Sequence, residues 1–145
     1  MSKDTSNDTS TNSTDKISYN KALQLLQGYS DLSSFTNPDG SKCNNHYGLY
    51  HVKIAQSIAR LKKVDAEYVE LRNDLIKSYI PDGVFVVPED KRGEVETLNF
   101  ALLESECGLS YSDLAKLPQA VLEAGGNKVS LSALGMLGDV IEWTE

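Results

Sequence analysis

The chain has 145 residues, 40% of them hydrophobic, and a formal net charge of −7. That length and apolar content suit one domain that folds without disulfides or metal, and they exclude a fully disordered chain. No apolar run reaches the roughly 18–20 residues of a membrane span, which excludes a helical membrane protein.

Residues 2–16 contain no apolar side chain, so nothing there offsets the entropy of ordering. A disordered tail over 1–16 is expected, followed by one helical domain over 17–145. The opening residues are polar and carry no secretory leader, so a cytoplasmic location is expected. The Asn7 and Asn12 glycosylation sequons then read as accidents of composition.

A first helix is predicted from the capping residue Ser18 to Gly28, with Tyr19, Ala22, Leu23 and Leu26 as its apolar stripe. Residues 30–45 read as a polar loop around the turn Asn37-Pro38-Asp39-Gly40. The clearest element is a long helix from about Tyr47 to Tyr79. Ile54, Ile58, Leu61, Tyr68, Leu75 and Tyr79 recur on it at steps of three, four or seven. The same stripe passes through Asp65 and Arg72. At about 1.5 Å per residue such a helix extends about 50 Å, whereas a compact domain of this size is roughly 40 Å across. It must therefore project, kink or find cover elsewhere.

Pro81-Asp82-Gly83 stops that helix, and Val84-Phe85-Val86-Val87 reads as a short β run. A further helix is predicted from Pro88-Glu89-Asp90 to Gly108, with Val95, Leu98, Phe100 and Leu102 facing inward. Ser112-Asp113-Leu114 opens a short turn. Residues 118–124 start with Pro and end before Gly125-Gly126, the signature of a short helix. A last helix is predicted from Ser130 or Ser132 to Trp143, with Leu131, Leu134, Leu137 and Ile141 inward and Met136 and Trp143 in the core. Gly135 and Gly138 weaken this helix by about 1 kcal/mol each, or allow another helix to approach closely. The expected fold is mainly α: about four helices organised by one long helix, with a minor β element.

Several stretches together resemble a known family. They are IAQSIARLKKVDAEYVELRNDLIKSY, PDGVFVVPEDKRGEVETL, LSYSDLAKL and VSLSALGMLGDVIE, in that order. The family comprises small phage and prophage proteins of Gram-positive bacteria and is catalogued as a domain of unknown function. The resemblance covers about residues 47–145. The tail and the insert around Asn37–Asn45 depart from its pattern. It implies a phage accessory or assembly role in the host cytoplasm, and it carries no catalytic residues over.

The charge is segregated: residues 1–45 carry −1, residues 46–80 carry +2 and residues 81–145 carry −8. So acidic a half repels phosphate backbones, which argues against nucleic acid. No GxxxxGK[ST], GxGxxG, HExxH or GxSxG motif occurs. Glu89-Asp90 and Glu104/Glu106 read as a solvated acidic face. An alternative is a small enzyme or a metal- or ligand-binding protein using Cys43, His46, His51 and Cys107, a donor set that zinc accepts. Its spacing is not that of a zinc finger. The preferred reading is non-enzymatic, with no cofactor, metal or membrane. The expected partner is another protein or a second copy, met by the long helix at Asp65, Arg72, Leu75 and Tyr79. Asp65 and Arg72 would set register by meeting opposite charges, or lie at the rim.

Overall fold

The structure, a computed structural model, describes residues 15–33, 39–41, 45–124 and 127–143. Most of the expected tail, both sequons, Asn37, Pro38 and Cys43 lie outside the described residues. In chain order the elements are β1 (Lys16–Ser18), α1 (Tyr19–Ser33), α2 (Tyr50–Lys77), a 3-10 turn (Glu89–Lys91), α3 (Arg92–Leu103), β2 (Glu106–Ser110), a second 3-10 turn (Tyr111–Asp113), β3 (Leu117–Pro118), α4 (Gln119–Glu123), α5 (Leu131–Met136) and β4 (Ile141–Glu142). The fold is mainly α, organised by the 28-residue α2, with two small two-stranded sheets.

Ser18 caps α1 as the sequence implied: its Oγ accepts from the Lys21 N–H at 3.1 Å. The helix runs past Gly28 to Ser33, because Leu25, Tyr29 and Leu32 bury fully along one face and carry it through the glycine. α2 lies antiparallel to α1. Tyr19 packs on Tyr68, ring centroids 6.1 Å apart, near one end. Near the other end the Tyr29 hydroxyl donates to Ala115 O at 2.6 Å, while the Ala115 N–H donates to Ser57 Oγ at 2.8 Å. Ile54, Ser57, Leu61, Val64 and Tyr68 are the buried residues of α2. Leu114, Leu117, Leu122, Leu137, Val140 and Ile141 close the same core from the C-terminal segments.

Gly28 is where two helices meet. A Cβ built there would lie 2.7 Å from Leu137 Cγ and 3.1 Å from Met136 Cβ. The sequence suggested Gly135 and Gly138 for that role. Around Gly135 nothing lies within 4 Å, and Gly138 meets only backbone oxygens at ordinary contact distance. α5 is also shorter than predicted. It begins at the Ser130 cap, whose Oγ accepts from Ala133 N at 3.0 Å, and ends at Met136. The chain then turns and pairs β4 with β3 in parallel, Leu117 opposite Ile141. Leu131 is 86% exposed and Trp143 54% exposed, so neither is core. Lys21 Nζ lies 2.6 Å from Asp139 Oδ2 and ties α1 to this turn. The hydrogen bond from Lys21 holds the Asp139 carboxyl below its usual range.

The β elements are not where local sequence put them. Val84–Val87 forms no strand: the Val84 N–H turns back to Pro81 O at 3.1 Å, and among the described residues no partner strand pairs with it to complete a ladder. Conversely, α3 stops at Leu103 rather than near Gly108, with Glu104 N and Ser105 N donating to Phe100 O and Leu102 O. Glu106–Ser110 then becomes β2 because β1 pairs with it antiparallel, Lys16 opposite Ser110.

Candidate functional site

α2 and α3 form an antiparallel hairpin. The Tyr68 hydroxyl donates to Asn99 Oδ1 at 2.8 Å, and eleven residues further along the chain, just past the end of α2, the Tyr79 hydroxyl donates to the Glu94 carboxylate. Val95 is the buried residue of α3 between these two bonds. The Tyr79 phenol is pushed up by the hydrogen bond it gives Glu94, so its neutral, donating form is favoured.

The buried stripe of α2 ends at Tyr68, but the helix continues for nine residues to Lys77. At about 1.5 Å per residue that is about 14 Å of helix without a fully buried side chain. Leu75, Ile76 and Tyr79 are half-buried; Asp65 is half-buried and Arg72 exposed. The hairpin thus brings Leu75 and Tyr79 together near its turn, and leaves Asp65 and Arg72 along the rim of α2. At the turn, Tyr79, Ile80, Pro81, Pro88, Asp90 and Lys91 line an open cavity of about 340 Å³.

The largest exposed apolar groups of this hairpin were not read as such from the sequence. Phe85 is 93% exposed, between exposed Val84 and Val86. Phe100 is 65% exposed and Leu98 also faces solvent, although both were expected inward. The side of α3 carrying Val95, Asn99, Leu102 and Leu103 is covered, and the side carrying Leu98 and Phe100 is not. The available signal was an apolar run between two prolines with no second strand nearby.

The three described members of the Cys/His set do not converge; Cys43 lies outside the described residues. His51 lies in the first turn of α2, and Cys107 lines a groove beside Glu67, sixteen residues on, or about 24 Å along the helix. His46 is exposed and engaged through its backbone with Asn127. Among the described residues no group of three or more His, Cys, Asp or Glu side chains is placed to hold a metal ion. Cys107 is a free thiol that burial pushes up, which lowers its thiolate fraction at neutral pH. Among those residues no helix is long and apolar enough to cross a membrane.

Comparison of the chain with protein-family models, curated proteins and solved structures finds no match.

Proposed function

We propose that this chain is a non-enzymatic interaction protein that docks another protein through the end of the α2–α3 hairpin. One observation carries the reading: apolar side chains continue past the last buried residue of α2 and culminate in Val84, Phe85 and Val86 at the turn, all solvent-facing. Exposed contiguous apolar surface with a polar surround marks interaction sites. Here Asp82, Glu89, Asp90 and Lys91 supply the surround. Aromatic anchors such as Phe85 concentrate binding energy. The resemblance to small phage proteins supports a phage accessory or assembly role, exercised in the host cytoplasm.

The test is capture from phage-infected cells by the tagged chain, with Phe85→Asp and Phe100→Asp as matched controls. A stoichiometric protein retained by the native chain and lost with the variants supports the proposal. Equal capture by Phe85→Asp contradicts it. Light scattering of the purified chain separates a foreign partner from a second copy.

A further inference from the structure

A second surface lies on the N-terminal half of α2 and owes nothing to the hairpin turn. There the segment 106–115 runs antiparallel to the helix. Cys107 lines a groove with Glu67, the Arg60 Nη1 group donates to Asp113 O at 2.7 Å, and Ser57 Oγ receives the Ala115 N–H. Two cavities of about 340 and 200 Å³ open between helix and segment, and they share Arg60 and Asp113. They lie end to end from Lys53 to Glu67, about 21 Å at the helical rise, as a groove crossed between them by the Arg60–Asp113 hydrogen bond.

Its charge is opposite in sign to that of the protein. The chain carries −7, yet Lys53, Arg60 and Lys63 line one wall. The two carboxylates present are already engaged. Glu67 accepts from the Tyr19 hydroxyl, and Asp113 Oδ2 accepts from the Ser110 N–H at 2.9 Å. Among the described residues no carboxylate pairs with the cations, although Lys53 Nζ lies over the Tyr50 ring, 5.3 Å from its centroid. Arg60 gives one of its five N–H donors to a carbonyl. Neither it nor Lys63 forms a salt bridge among the described residues. The opposite wall is β2 at Cys107–Leu109 and the following residues Ser112–Ala115; among the described residues β2 has a strand neighbour on one edge only.

We propose that this groove binds an extended acidic peptide segment of a partner protein. Carboxylates on alternate residues would meet Lys53, Arg60 and Lys63, and the peptide main chain would run beside β2 at Gly108 and Leu109. At about 3.3 Å per residue, six residues fill the length. Alternation follows from the geometry, since successive side chains of an extended chain point to opposite sides. The uniform phosphates of a nucleic acid would meet the repulsion of the acidic remainder.

The probe is a fluorescein-labelled six-residue peptide of alternating Glu and Val, followed by fluorescence anisotropy, with its Gln counterpart as control. The native chain should bind the Glu peptide, and Lys63→Glu should weaken binding about tenfold or more. Lys63 is exposed, so the variant should keep the native circular dichroism. The Gly108 and Leu109 amide resonances should shift on titration. Equal binding of the Glu and Gln peptides, or an unchanged affinity in Lys63→Glu, overturns the proposal. So does stronger binding of an oligothymidylate. Shifts of the same amides on raising protein concentration alone would give the groove to a second copy and overturn it as well.

Discussion

Asn45 and Asn127 each hold the residue that follows the other. The Asn45 carboxamide receives the Lys128 N–H at 2.9 Å and donates to Lys128 O at 2.7 Å. The Asn127 carboxamide receives the His46 N–H at 2.8 Å and donates to His46 O at 2.8 Å. Each side chain acts as a peptide group, and two loops 81 residues apart are joined as a short ladder. Asn127 also donates to Val121 O at 3.2 Å. Asn127→Ala should therefore cost about 1–3 kcal/mol in urea denaturation. Asn127→Asp keeps the acceptor but puts negative charge on two carbonyls, so at neutral pH it should cost no less. A loss within the noise of a surface substitution would show that the ladder does not hold the loops.

Gly28→Ala opposes two effects. Alanine favours a helix over glycine by about 1 kcal/mol. The new Cβ would sit 2.7 and 2.9 Å from two Leu137 side-chain atoms, in a fully buried contact. Overpacking should win and destabilise the protein by about 1–3 kcal/mol. Gly28→Ala with Leu137→Ala should cost less than the sum of the single changes. Strict additivity in a double-mutant cycle would contradict the contact.

The Tyr29–Ser57–Ala115 arrangement predicts an asymmetry. Ser57 is the buried polar residue of α2 and satisfies the Ala115 N–H. Ser57→Ala leaves that donor buried without an acceptor and should cost about 1–3 kcal/mol. Ser57→Thr keeps the hydroxyl and isolates packing from hydrogen bonding. If both variants unfold alike, the hydrogen bond is not the cause.

Tyr19 gives an alkaline signature. The hydrogen bond it donates to Glu67 pushes its phenol up to about 12, from an ordinary value near 10. Its folded-state value lies above the unfolded one. Its contribution to stability is therefore complete below about pH 10 and lost as pH rises through about 12. Burial and the nearby Asp139 act the same way on Tyr111, also pushed up to about 12. Melting temperature should fall across that interval, and Tyr19→Phe should flatten the fall. Equal slopes for native and variant chains would contradict it.

Local signals in the sequence locate the helices and several of their starts, but not all of their ends. The Ser18 and Ser130 caps, the Pro118 start and the long stripe of α2 each act within one or two turns, and each is present. What sequence reading missed was non-local. β2 reads locally as the end of α3, because its partner, β1, is three residues long and lies near the other end of the chain. Val84–Val87 has strand propensity but no partner. Gly28 reads locally as a helix end, but Leu137, 109 residues away, fills the space beside it. At the candidate site, Leu75 and Tyr79 were legible from periodicity. Phe85 and Phe100 were not, because their exposure depends on α3 having so little cover.

The proposed contact is between the hairpin end and a protein. A photo-crosslinking benzoylphenylalanine placed at position 85 reads this directly, with the same residue at the exposed position 123 as control. Irradiation in phage-infected cells should give one discrete adduct from position 85, identified by mass spectrometry. That adduct should be absent from position 123 and suppressed by Phe100→Asp. No discrete adduct at 85, or the same adducts from both positions, would contradict the account.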